Sequence, residues 1–224
     1  MDFDHEEPKR KFDWTFGRIC LSVANLVNHI MIGFLTIYII YLGRDLSNNT
    51  NIHAVLSTIG YVLLMSEAIV VLAEENLWTN FLSRQVSKHI HWILQVGAAV
   101  FIIVGVGVKY DKKESHFHST HAITGIISVG LIIFVALMGI FAFYSVELRR
   151  IIRPVLFKLF HNLFGIGCFV IGMTSLLYGY EKKWMTIKAT DEMKLTCVIL
   201  TYAITVFSLV GAFGSLFNQL GLIR

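Results

Sequence analysis

Four histidines, each at the start of a long apolar stretch, are the side chains in this sequence best suited to hold a metal centre. They are His53, His91, His121 and His161. Each stretch is about as long as the hydrocarbon core of a bilayer is thick, at about 1.5 Å of helix rise per residue. Ionisable side chains are rare in membrane spans without a functional reason, and imidazole is the commonest protein ligand of metals. The pattern therefore predicts a set of ligands rather than four separate interfacial residues.

The composition places the chain among multispanning membrane proteins. Of its 224 residues, 55% are hydrophobic and 15% are charged, and the mean hydropathy is +0.66. Two further apolar stretches, near residues 19–42 and 195–216, bring the number of spans to six. We predict an all-α, six-span transmembrane helix bundle over residues 19–217, with tails at residues 1–18 and 218–224. Its second to fifth helices carry the four histidines and form the centre.

The basic residues predict how the bundle is oriented. Eleven of them flank the side on which both termini lie, against eight on the other side. Because positive charge is enriched on the cytosolic side of membrane proteins, we expect both termini in the cytosol. The membrane itself is expected to be an endomembrane (endoplasmic reticulum or vesicle) rather than the plasma membrane. The net charge of +4 is explained by these flanking residues beside anionic lipid. No nucleic-acid partner is expected.

The direction of each span sorts the histidines into two pairs. His53 and His121 begin spans that run inward, so they share the non-cytosolic end; His91 and His161 share the cytosolic end. Each pair comes from parallel helices that can face each other across a four-helix bundle. With neighbouring helices about 8 to 10 Å apart, the diagonal is on the order of 14 Å. We take this distance as too wide for one small ion between two imidazoles and suited to a haem held edge-on.

Small residues one turn after the histidines fit a large planar cofactor. Ser57, Gly125 and Gly165 each follow a histidine by four positions, and Gln95 takes the fourth place. Small side chains there would leave room for a macrocycle, and the Gln95 amide could bond a porphyrin substituent. Ordinary packing between membrane helices is the alternative explanation.

Several segments around the histidines resemble the cytochrome b561 family of six-span, two-haem membrane proteins. They are IHAVL, YVLLMSEAIVVL, KHIHWILQ, HSTHAITG and KLFHNLFGIG, and the resemblance covers about residues 18 to 216. It implies two non-covalent haem b groups with bis-histidine ligation, by His53 with His121 and by His91 with His161. It also implies an ascorbate-dependent transmembrane oxidoreductase. Such a protein would pass electrons from cytosolic ascorbate to monodehydroascorbate or ferric iron on the far side, as a ferric or monodehydroascorbate reductase.

Charged residues near the two ends are candidates for substrate sites. Those for a cytosolic donor site are Arg84, Lys88, Arg153, Lys158 and Glu67. Glu67 is expected to face the bundle near the cytosolic haem, where it would pair with Lys88 or assist a proton. The candidates for a non-cytosolic acceptor site are Lys112, Lys113, His116 and His118. Headgroup contacts and solvated loops are the alternatives. His29, within the first span, is expected to be a hydrogen-bonded polar contact rather than a ligand.

Two other functions compete with electron transfer. A divalent-metal transporter would use the histidines along a path, but its ligands should converge with carboxylates near the midplane. A non-catalytic membrane scaffold would bind no haem. A homodimer is a further partner that the sequence leaves open.

Overall fold

The predicted all-α, six-span class is confirmed. A computed structural model describes residues 15–111 and 117–222. Within these ranges, six helices are long and apolar enough to cross a membrane: α1 (Phe16–Leu42), α2 (Asn49–Val70), α3 (Arg84–Tyr110), α4 (Thr120–Phe143), α5 (Pro154–Tyr180) and α7 (Asp191–Gly221). A short helix that the sequence pattern did not predict, α6 (Lys183–Lys188), precedes α7, and a single 3₁₀ turn, Glu147–Arg150, precedes α5.

Polar caps fix where the helices of the centre begin. Ser83 accepts a hydrogen bond from the Val86 N–H at the start of α3, and Ser119 accepts one from Ala122 at the start of α4. Asn48 caps α2 in the same way, and α5 begins on proline, whose missing N–H is no loss in the first turn. As a result each of the four histidines lies within the first eight residues of its helix.

The helices α2 to α5 form a four-helix ring. Neighbours pack in the order α2–α3, α3–α4, α4–α5 and α5–α2, so α2 faces α4, and α3 faces α5, across the diagonals. Helices α1 and α7 pack together on the outside of this ring, with α7 against α5. We call the end where α1 begins and α7 finishes the termini end, and the opposite end the distal end.

Helix α2 contains a π-helical segment, Ile59–Met65. A π turn holds one more residue than an α turn, so every position beyond it is rotated relative to a regular helix. The Ser66 hydroxyl donates to the Tyr61 carbonyl at 3.2 Å inside this segment. Gly60 brings the backbone close to α3, since a Cβ there would lie 3.1 Å from the Ala98 carbonyl oxygen. Both features matter at the centre of the bundle.

Candidate functional site

The structure brings the four histidines together in the two predicted pairs. At the distal end the ring centroids of His53 and His121 are 5.8 Å apart, with the ring planes at 80°. At the termini end those of His91 and His161 are 6.3 Å apart, at 83°. In both pairs the two histidines come from diagonally opposed helices, and their imidazoles meet in the interior of the four-helix ring.

The expectation that a bundle diagonal of about 14 Å is too wide for one ion between two imidazoles is wrong. The helices are diagonal, but each imidazole extends from its backbone into the interior, so the rings meet although the helix axes do not. With metal–nitrogen bonds of about 2 Å, two imidazoles on opposite sides of one ion have centroids roughly 6 Å apart. Each pair therefore fits one metal ion between two rings, and the iron at the centre of a haem is such an ion.

Backbone carbonyls of the neighbouring helix hold the rings in place. Three Nδ1 atoms bond to them: His53 to Gly105 at 2.9 Å, His91 to Ala68 at 2.6 Å and His121 to Ser175 at 2.8 Å. The Nδ1 of His161 is buried near the Val135 carbonyl without a well-formed hydrogen bond. A carbonyl only accepts, so Nδ1 carries the proton and Nε2 keeps its lone pair. This is the tautomer that presents Nε2 to a metal.

The same contacts show a regular relation between the two ends. Gly105 follows His91 by fourteen positions, and the same spacing separates Val135 from His121 and Ser175 from the histidine of α5. This spacing is almost four helical turns, so a histidine and the carbonyl acceptor on its own helix share one face, at levels about 21 Å apart along the axis.

The fourth carbonyl departs from this spacing by one position. Ala68 follows His53 by fifteen positions rather than fourteen. The π segment of α2 supplies the extra residue between them.

Two glycines that the sequence analysis missed border the histidine rings. A Cβ on Gly139 would lie 3.2 Å from Cε1 of His161, and one on Gly179 would lie 3.3 Å from Cε1 of His121. Both glycines follow the histidine of their own helix by eighteen positions, which is about five turns. That shared spacing was visible in the sequence and could have revealed them.

The glycines that were predicted to leave room for a macrocycle, Gly125 and Gly165, face side chains of a neighbouring helix instead. A Cβ on Gly125 would lie 3.3 Å from Ser175 Oγ, and one on Gly165 would lie 3.9 Å from a Val135 methyl group. Both positions therefore face the packing contact between α4 and α5, which was the alternative explanation. Gly125 is connected to the distal pair through Ser175, which also supplies the carbonyl to which His121 is bonded. Ser57 is buried and Gln95 is half-buried.

The basic candidates gather at the termini end. Four basic side chains are exposed there, on the two helices that carry His91 and His161 or, for Arg153, immediately before the helix: Arg84, Lys88, Arg153 and Lys158. Both arginines also bind carbonyls: Arg84 donates to Leu72 at 2.8 Å and Arg153 donates to Leu222 at 3.2 Å. The guanidinium groups thus tie the ends of α2 and α7 to α3 and α5.

Glu67 does not face the bundle as expected. Its Oε1 lies 2.8 Å from His29 Nδ1 on α1, and the other ring nitrogen of His29 lies 3.4 Å from the Asn76 amide oxygen. The expectation assumed a regular helix from His53 onward. The π segment adds one residue, so Ala68 takes the inward position and the carboxylate turns toward α1. The polar role predicted for His29 is confirmed.

The acceptor candidates at the distal end are only partly within the described residues. His118 is exposed, whereas Lys112, Lys113 and His116 lie outside the described ranges. A cation that the acceptor prediction did not include, Lys109, donates to the Thr50 hydroxyl at 2.6 Å and joins α3 to α2 near this end.

Comparison with known proteins decides the family. Residues 52–186, which contain all four histidines, match the model of eukaryotic cytochrome b561. The chain belongs to the cytochrome b561 family. A mouse (Mus musculus) protein named transmembrane reductase CYB561D2 is 30% identical over 179 residues, which are 77% of this chain and 80% of that protein. A rice (Oryza sativa subsp. japonica) protein named probable ascorbate-specific transmembrane electron transporter 1 is 27% identical over 172 residues, 72% of this chain and 70% of its own.

A rat (Rattus norvegicus) plasma membrane ascorbate-dependent reductase, CYBRD1, is 28% identical over 176 residues, which are 73% of this chain and 59% of that protein. Membership of the cytochrome b561 family makes this chain a multi-pass membrane oxidoreductase with haem b as its cofactor. It favours electron transfer over the transporter and the scaffold.

Proposed function

We propose that this protein holds two haem b groups and carries single electrons through them from the termini end to the distal end. His91 with His161 would hold one haem and His53 with His121 the other. The observation that carries the proposal is that each pair of rings faces across a diagonal at a separation fitting one ion between them. The two levels are separated by about 21 Å, most of the thickness of a bilayer core.

The chain contributes orientation and ligand saturation. Carbonyls on neighbouring helices hold the Nδ1 protons of His53, His91 and His121, so the Nε2 lone pairs of these rings would be free to bind iron. With the two imidazoles of a pair as its ligands, a haem iron would have no open position for oxygen chemistry, which would favour one-electron transfer. When bound, haem supplies a one-electron exchange between ferrous and ferric iron.

We further propose cytosolic ascorbate as the donor and monodehydroascorbate or a ferric chelate as the acceptor. The names of the rice and rat relatives support ascorbate. The exposed cations Arg84, Lys88, Arg153 and Lys158 surround the end with His91 and His161, where they would attract an anionic reductant. The excess of basic residues on the same side supports placing that end, and both termini, in the cytosol. His118 and Lys109 lie where an acceptor would arrive.

Transport across sealed vesicles tests this function. Protein reconstituted with its termini end inward should reduce external ferric chelate only when ascorbate is trapped inside. Lys158→Gln should raise the ascorbate concentration needed for half-maximal rate, more strongly at low ionic strength, because an exposed charge attracts an anion less when salt screens it.

The matched control for this variant is Lys183→Gln, an exposed lysine of the short helix at the distal end. It should leave the dependence on ascorbate unchanged. Equal effects of the two variants would contradict the placement of the donor site. Equal rates with ascorbate on either side of the membrane would contradict the direction.

A further inference from the structure

The midplane of the four-helix ring, halfway between the two histidine pairs, is filled by one aromatic side chain. Ala98, Ser128 and Cys168 each lie seven residues after the histidine of their own helix, and Tyr61 lies eight after His53. All four midplane side chains are at most 4% exposed. They form one layer, with one residue from each helix of the ring.

Tyr61 spans the interior of the ring. Its hydroxyl donates to Ser128 Oγ at 2.7 Å, so the side chain reaches from α2 across the diagonal to α4. The aromatic ring of Tyr61 also lies so close to Gly172 on α5 that any Cβ at position 172 would overlap it. The Ser128 hydroxyl in turn donates to the Cys168 carbonyl oxygen at 3.5 Å, which links α4 to α5 in the same layer. The aromatic ring of Tyr61 therefore occupies the space between the histidine pair at the distal end and the pair at the termini end.

The π segment explains why tyrosine stands there. In a regular α-helix, Gly60 would take the position seven residues after His53, as Ala98, Ser128 and Cys168 do on their helices. The segment Ile59–Met65 turns Gly60 toward α3 and brings Tyr61 into the layer. Among the described helices this irregularity occurs only in α2, and π turns are often found at functional positions.

We propose that the ring of Tyr61 is the part of the protein through which the electron crosses between the two haem sites. This inference rests on the proposed function. Electronic coupling between fixed centres falls off much more steeply across empty space than across packed atoms, and an aromatic ring supplies a continuous set of packed atoms. With both haems bound, one electron would be lost by the iron at the termini end, which would be oxidised to ferric, and gained by the distal iron, which would be reduced to ferrous. The tyrosine remains closed-shell throughout and no proton moves.

On this account the hydroxyl fixes the ring but does not conduct. Tyr61→Phe keeps the ring in place through Gly172 and loses only the bond to Ser128. Tyr61→Leu removes the ring and leaves space in the layer. Tyr61→Met, whose flexible chain fills gaps in a core, removes the ring with less loss of packing. The matched control is Tyr180→Leu, which removes another buried tyrosine whose hydroxyl lies 3.1 Å from Thr201 Oγ1, away from the midplane.

The experiment follows electron exchange between the haems in the fully loaded protein. A light-driven reductant attached to the termini end injects one electron, and the spectra of the two haems report its arrival at the distal site. Haem content and the two reduction potentials are measured for each variant. The Leu and Met variants at position 61 should slow the exchange several-fold at unchanged potentials, whereas Tyr61→Phe and Tyr180→Leu should keep the rate of the unchanged protein.

The outcomes separate conduction from packing. Equal slowing by the Phe and Leu variants, or an unchanged rate in both the Leu and Met variants, would overturn the proposal. If Tyr61→Leu loses haem, Tyr61→Met decides by the same criterion. If the unchanged protein binds only one haem, the proposed function fails. If it binds two haems and the rate of electron exchange does not depend on the aromatic ring at position 61, only this inference fails.

Discussion

Replacing Gly139 by alanine should weaken one haem site and leave the other intact. The added Cβ would lie 3.2 Å from Cε1 and 3.5 Å from Nδ1 of His161. Carbon atoms in contact are most stable about 3.5 to 4.0 Å apart, so the ring must move by a few tenths of an ångström. His161 is also the one of the four histidines whose Nδ1 lacks a well-formed hydrogen bond, so little opposes the movement.

The size of the effect follows from packing energetics. Forcing an extra methyl group into a packed site costs about 1 to 3 kcal/mol, and about 1.4 kcal/mol corresponds to a tenfold change in affinity. Gly139→Ala should therefore lower haem affinity at the termini end by roughly 5- to 150-fold. The helix itself should gain up to about 1 kcal/mol, because alanine is a better helix former than glycine. The predicted loss is thus opposite in sign to the local effect on α4.

The assay measures haem retention and identifies the affected site. Haem is counted per chain after dialysis against a haem-binding protein, and a potentiometric titration shows which transition has been lost. Gly130→Ala is the control on the same helix, because a Cβ there would meet nothing within 4 Å. Gly179→Ala, with its Cβ 3.3 Å from Cε1 of His121, should affect the distal site instead. Equal haem retention in Gly139→Ala and Gly130→Ala would refute the reasoning.

Two further predictions concern contacts around the site. Glu67→Ala should lower the free energy of unfolding by about 1 to 3 kcal/mol, because it removes the carboxylate partner of His29 Nδ1, and it should leave two haems bound. Thermal unfolding and a haem count check this, and a loss of haem would contradict the placement of Glu67 and His29 outside the four-helix ring. Gly125→Leu should lose the distal haem, because the larger side chain would push Ser175 and α5 away from α4. Gly165→Ala should keep both haems, because the nearest atom to its Cβ is 3.9 Å away. Spectra of the purified variants check this, and loss of haem from Gly165→Ala would speak against it.

The architecture and the pairing were predictable because they depend on periodic features of the chain. Six apolar stretches give six helices, and the direction of each helix assigns His53 with His121 and His91 with His161 to opposite ends. These inferences need only helix length, chain direction and the rarity of ionisable groups in membranes. They survive small local irregularities.

What could not be predicted depends on one local irregularity and on side-chain reach. The π segment of α2 shifts the register by one residue, and no periodic pattern reveals it. It turned Glu67 toward α1 instead of the interior of the four-helix ring and placed Tyr61 in the midplane. The bundle diagonal was expected to prevent two imidazoles from sharing an ion, and this failed because distances between helix axes do not include the reach of the side chains. Gly139 and Gly179 were overlooked although their spacing from the histidines was legible.

We propose that the protein holds two haems, one in each histidine pair. The most direct measurement is the haem count per chain, with the number of reduction transitions, for the unchanged protein and for His161→Ala and His121→Ala. We expect two haems in the unchanged protein and one in each variant. The haem left in His121→Ala should be the one reduced from the termini end, and the haem left in His161→Ala should be the distal one. A single haem in the unchanged protein, or loss of the same transition in both variants, would contradict the account.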